Sequence, residues 1–122
     1  MSPDRKLLAF AAFNGVMSVA LGAFAAHGAG PAVKTLLTTG GHYQMVHAAL
    51  AVALALFGTS PLLRLAGWLA CAGGLIFCLA LAMIGLLSLP AMGAVAPVGG
   101  VMMIAGWALI LVAAFRSHPA EA

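Results

Sequence analysis

The stretch GGHYQMVHAAL, Gly40 to Leu50, sets His42, Tyr43, Gln44 and His47 against a run that is otherwise hydrocarbon-like. Its reading decides the fold, because polar groups this close to an apolar run either open a membrane-spanning helix or interrupt one. Polar side chains cost less at the end of a span than at its centre. The sequence therefore places them at a helix mouth, opening a span over about residues 41–58. A two-stranded alternative fails, because open sheet edges leave backbone N–H and C=O groups unsatisfied in lipid.

Composition points the same way. The chain has 122 residues, 65% of them hydrophobic and only 6% charged, whereas soluble domains carry roughly 25% charged residues. So few charges cannot solvate a water-facing surface of this size, so lipid is the solvent. The formal charge of +3 comes from Arg5, Lys6, Lys34, Arg64 and Arg116, scattered between apolar runs. A nucleic-acid face needs such residues clustered, so nucleic acid is excluded as a partner. Cys71 and Cys78 share one apolar run; on a helix they stand ~10 Å apart along the axis, too far for a disulfide, and read as packing residues.

A spanning helix needs about 20 mostly apolar residues. Four runs qualify, within one membrane domain over residues 1–122: residues 7–26, 41–58, 61–88 and 94–115. Ser60-Pro61 supplies an N-cap and first helical position for the third. The fourth closes at Arg116 and a polar tail. With four spans, Arg5, Lys6, Arg64 and Arg116 fall on one side against Lys34 on the other, which places both termini in the cytoplasm. Residues 27–40 then form an outer connection. Arg5-Lys6 and the apolar stretch after them also resemble a signal peptide. That stretch is long and contains Asn14, so it is read as a retained span.

Close packing has to hold such helices together in lipid, and fifteen glycines fit that need. Ser18, Gly22 and Ala26 form a small-residue strip on the first span, Gly67 and Cys71 one on the third, and Gly99, Gly100 and Gly106 one on the fourth. Pro97 falls in the first turn of the fourth helix, where its missing N–H costs little. Trp107 lies nearer mid-span and reads as a packing residue.

From a helix beginning near Gly41, His47 would lie roughly 9 Å below the outer end, with His42 at the interface and His27 approaching from the first span. His42 and His47 lack the i, i+4 spacing of two ligands on one helical face. The acidic residues, Asp4 and Glu121, lie in the tails. No metal, no cofactor and no catalytic residue is expected. Nucleophilic chemistry would need an orienting acid that the sequence does not place near Ser18 or His47. Two uses of the cluster remain. Asn14, Ser18, Gln44 and His47 could line a polar pathway. Alternatively they are architecture, with His47 bonded to the first helix near Ser18 and Gly22 while Tyr43 and Gln44 tie down the first loop. The second is favoured.

The segments LGAFAAHG (21–28), HYQMVHAAL (42–50), GGLIFCLAL (73–81) and APVGGVMMIAGWAL (96–109) occur in an order that resembles the domain of unknown function 423 family, which includes transmembrane protein 256. Ala25 stands where that pattern usually has Gly. The resemblance spans essentially the whole chain and implies a multi-span protein, bacterial inner membrane in prokaryotes, with no agreed activity. It marks His27, Gly28, Tyr43, Gln44, His47, Pro97, Gly99, Gly100, Gly106 and Trp107 as motif positions and gives none a chemical role.

The expectation is an all-α, four-span helical bundle in contact with membrane lipids. Its function would be non-enzymatic, as a small subunit or assembly partner of a larger membrane complex. The alternative is a small homo-oligomeric transporter or channel using the polar cluster around His47.

Overall fold

The computed structural model describes residues 1–116 and is all-helical over them. Four long helices follow one another: α1 (Arg5–His27), α2 (Pro31–Phe57), α3 (Pro61–Leu87) and α4 (Ala96–Phe115). A short 3-10 turn, Pro90–Ala94, precedes α4. The polar tail with Glu121 lies outside the described residues.

Local chemistry sets the helix ends. The Asp4 carboxylate accepts the Leu7 N–H at 3.0 Å and caps α1. Its own N–H donates to the Ala55 carbonyl, fastening the start of α1 to the end of α2. Pro31 opens α2 directly after Gly30, the position where a missing N–H is harmless. Ser60 caps α3 through its hydroxyl, with Pro61 first in the helix, as the sequence suggests. Ser88 closes α3 in the left-handed region at φ 53°, and the Ser88 and Leu89 N–H groups both return to the Met83 carbonyl.

The start of α2 corrects the sequence reading. Residues 31–40, expected as an outer connection, are three further turns of helix, so α2 has 27 residues and the connection from α1 shrinks to Gly28–Gly30. The expected start of the span falls at the Gly40-Gly41 pair. That pair is instead a double point of close approach. A Cβ at Gly40 would stand 3.1 Å from the Cys78 Cα on α3, and one at Gly41 3.4 Å from the Ser18 carbonyl oxygen on α1. The other helices cover residues 5–27, 61–87 and 96–115, beside expected runs of 7–26, 61–88 and 94–115.

The helices pack in chain order, α1 on α2, α2 on α3 and α3 on α4, with a lighter touch between α1 and α3 where Leu7 reaches Gly67. Short connections make neighbours antiparallel. The N-terminus, the α2–α3 connection and the end of α4 therefore share one end of the molecule. The interior is built of small residues, with Ala11, Ala51, Ala55 and Cys71 around Leu7. Large apolar side chains face outward instead, Val101 at 65% and Ile104 at 68% exposure among them. Water would not tolerate that distribution, and lipid gives no reason to avoid it. Three segments are long and apolar enough to cross a membrane: α1, α3 and the run Pro90–Phe115. The first half of α2 is more polar, carrying Lys34, Thr35, Thr38 and Thr39.

Candidate functional site

Because α2 begins at Pro31, the stretch expected at its mouth lies in its middle. Gln44 has thirteen helical residues on either side, and His47 is roughly 24 Å from the helix start at 1.5 Å per residue. The polar groups do not form one cluster. They divide into two ties that leave α2 in different directions.

The first tie joins α2 to α1. Gln44, 1% exposed, and Asn14, fully buried, meet through a 2.9 Å bond from Gln44 Nε2 to Asn14 Oδ1. Asn14 Nδ2 donates to the Phe10 carbonyl one turn earlier at 2.9 Å. That bond fixes the Asn14 amide: turning it over would set its oxygen against the Phe10 oxygen. The Gln44 orientation follows, leaving Gln44 Oε1 buried and without a hydrogen-bond partner among the described residues. Gly74 on α3 lets this turn of α2 come close, since a Cβ there would stand 3.3 Å from the Gln44 Cα. Interhelical bonds of this kind are worth on the order of 0.6 kcal/mol, up to about 1.7.

The second tie joins α2 to α4. His47 Nδ1 lies 2.7 Å from the Tyr43 carbonyl, and Trp107 Nε1 lies 2.9 Å from His47 Nε2. A carbonyl oxygen can only accept and an indole N–H can only donate. His47 is therefore the neutral tautomer with its proton on Nδ1, and Nε2 accepts. A ring protonated on both nitrogens would set two donors against each other at Trp107. The His47 and Trp107 rings cross edge to face at 6.0 Å, and Tyr43 packs edge-on to Phe77 of α3 at 5.3 Å.

Several expected contacts are replaced. His47 does not bond the first helix, and Gly22 is no socket for it, because nothing lies within 4 Å of where a Gly22 Cβ would stand. Gly41 makes the close approach to α1 in its place. The Ser18 hydroxyl donates to the Gly15 carbonyl at 2.8 Å within its own helix. Tyr43 is half-exposed and Gln44 holds α1, so neither ties down a loop. His27 ends α1 and His42 is exposed on α2, so neither joins His47. Gly28 closes α1, its N–H donating to the Phe24 carbonyl. Pro97 sits in the first turn of α4. Gly99 and Gly106 meet α3 backbone, whereas Gly100 faces open space. Trp107 is a hydrogen-bond donor as well as a packing residue. Gly40 and Gly41, absent from the expected packing positions, are close-approach residues that the sequence signals only by their adjacency.

This chemistry holds helices. The comparisons with known proteins give the family. The family model described as "Protein of unknown function (DUF423)" matches residues 21–100, which include both ties except Asn14 and Trp107. The chain belongs to this family. Relatives of the DUF423 chain include UPF0382 membrane proteins of Staphylococcus aureus, from strains bovine RF122 / ET3-1, USA300 and NCTC 8325 / PS 47. Each is 33% identical over 111 residues, covering 86% of this chain and 91% of the relative. No solved structure matches the chain. With three segments apolar enough to span and relatives that are membrane proteins, this DUF423 member is a helical membrane protein.

Proposed function

We propose that the chain is a non-enzymatic, four-span protein of the bacterial inner membrane that works by lateral association, as a small subunit or assembly partner of a membrane complex. One observation carries this reading: the interior polar side chains, the Gln44 Oε1 atom apart, are spent on bonds within and between the helices. Asn14 holds Gln44, and His47 holds Trp107. Used in this way they fix helix positions, and the outward helix faces become the working surface. The packing of α2 between α1 and α3 supports a fourth crossing, since both neighbours are apolar enough to span. Arg5, Lys6, Arg64 and Arg116 belong to one end and Lys34 to the other, which supports cytoplasmic termini.

Native mass spectrometry of the tagged chain, extracted from its own membranes in mild detergent, tests the reading. A stoichiometric assembly is expected, and a lone monomer would overturn it. Topology is tested separately by Ala91→Cys in the 3-10 turn, which should react with an impermeant maleimide from the outer side. Reaction only from the cytoplasm would reverse the orientation.

A second reading, an oligomeric transporter or channel, is favoured by the buried Gln44 Oε1, an acceptor at the middle of the bundle with no partner among the described residues. Its test is His47→Ala with flux and stability measured together. Lost flux at retained stability would move the conclusion to transport.

A further inference from the structure

The early start of α2 brings out a pattern that a helix beginning at Gly41 would hide. Thr35, Thr39, His42, Val46, Ala49 and Ala53 are all exposed, and the steps between them alternate four and three. That is the 3.5-residue repeat which keeps one seam of a helix against a partner helix in a left-handed crossing. The buried residues of α2, among them Leu37, Gly41, Gln44 and Ala51, lie on the opposite side, where α1 and α3 pack. The seam thus points away from the rest of the chain.

Its upper half is polar at a depth where the neighbouring helices are not. Thr35, Thr39 and His42 run down to two residues from the centre of α2. On α1 the outward residues near that level are apolar, Val16 at 71% and Val19 at 59% exposure. If α1 and α3 cross the bilayer, α2 between them does too, and His42 sits ~3 Å from its midpoint. Hydrocarbon offers a hydroxyl or an imidazole nothing to bond, so polar groups at such depth pair across helices or face an interior. The lower half of the seam holds Ala49 and Ala53, which let a second backbone come close.

We propose that this seam is the interface between two copies of the chain, packed α2 against α2 about a twofold axis along the membrane normal. The inference rests on the lateral-association reading above and names the partner. A twofold axis sets each seam residue opposite its own counterpart at the same depth. A hydroxyl donates and accepts, and a neutral imidazole has one donor and one acceptor, so Thr39 and His42 each complement themselves, while Thr35, near the helix start, donates to the Pro31 carbonyl of its own helix. No seam residue carries a fixed charge, and Lys34 lies beside the seam rather than on it. Identical faces therefore meet without a like-charge penalty. Membrane insertion gives both copies the same orientation, as parallel pairing requires.

The test is a scan of single cysteines in native membranes under mild oxidation, read as covalent dimer. Seam positions are Thr39→Cys, His42→Cys, Val46→Cys and Ala49→Cys. Thr38→Cys and Met45→Cys, at nearly the same depths, are off the seam, and Val101→Cys reports on α4. Cys71 and Cys78 are buried, so the unsubstituted chain sets the background. Seam cysteines should cross-link to a second copy several-fold more than Thr38→Cys or Met45→Cys. Uniform cross-linking along α2, or a maximum at Val101→Cys, overturns the seam. Cross-linking of the seam to a different protein overturns the second copy and leaves lateral association standing. A monomer without cross-links at any position removes both.

Discussion

The α1–α2 and α3–α4 contacts hold helices by opposite means. Between α3 and α4 the backbones touch: a Cβ at Gly73 would stand 2.7 Å from the Gly99 carbonyl oxygen, and one at Gly99 2.6 Å from the Gly73 oxygen. Gly106 repeats the approach one layer away, against the Ala66 oxygen and Ala70 Cβ at 3.0 Å. Between α1 and α2 the central contact is a pair of buried amides, Asn14 and Gln44, bonded at 2.9 Å. Lipid tails solvate Leu as well as another helix does, so burial of apolar surface gives little net attraction in a bilayer. What remains is close van der Waals contact or a hydrogen bond that lipid cannot offer. The molecule uses the first at α3–α4 and centres the second at α1–α2. It adds the His47–Trp107 bond to fasten α4 back to α2.

These two modes respond differently to substitution. The largest effect is expected from Gly99→Leu, which drives a side chain into the α3 backbone, where no rotamer gives relief. Overpacking costs typically ~1–3 kcal/mol and more where backbone must move, so α4 should detach from α3. Unfolding in detergent read on Trp107 fluorescence, in a Trp68→Phe background, checks this; a native-like midpoint would show that the glycine contact is not what holds α4. Next come Asn14→Leu and Gln44→Leu, each of which strands the other amide. Leaving a buried polar group unpaired costs about 1–3 kcal/mol. The double substitution should cost less than the two single losses added together, because no amide is stranded. Strict additivity in a double-mutant cycle would mean that the two residues do not act as a pair.

His47→Ala should lose less, about 0.6–1.7 kcal/mol for one interhelical bond plus the imidazole packing against Trp107. Gln at position 47 should recover part of it, since its carbonyl oxygen can accept the Trp107 N–H. Asn14 and Gln44 should be insensitive to this change, and coupling between the two ties would contradict their separate directions. The smallest effect is expected from Gly100→Ala. Open space surrounds that position, and restricting the unfolded chain stabilises by about 0.4–1 kcal/mol. A clear loss there would place a helix against α4 that the chain itself does not supply.

Much of the architecture was legible because it is local. The start of α3 follows from Ser60-Pro61, and the apolar run of α1 begins just after Arg5-Lys6, since caps and hydropathy act over a few residues. The first half of α2 was not legible. Lys34, Thr35, Thr38, Thr39 and the Gly40-Gly41 pair together read as a polar connection, although α1 and α3 on its two sides make the same residues a helix. Tertiary contact overrides local propensity there. The site was half legible. His47, Gln44, Asn14 and Trp107 stood out as polar or amphipathic residues in apolar runs, but their pairing did not. A helix starting at Gly41 sets His47 too shallow by the length of the first turns of α2, which points it toward Ser18 and Gly22 instead of Trp107.

By itself the sequence determined the solvent and the helical class. Composition and charge placement decide those without reference to which helix meets which. Only the tertiary structure decided that Gln44 bonds Asn14 thirty residues away and that His47 accepts from Trp107 sixty residues away. A hydrogen bond depends on which faces are brought within 3 Å. Those faces were set by glycines whose meaning, break or close approach, depends on the helix standing opposite.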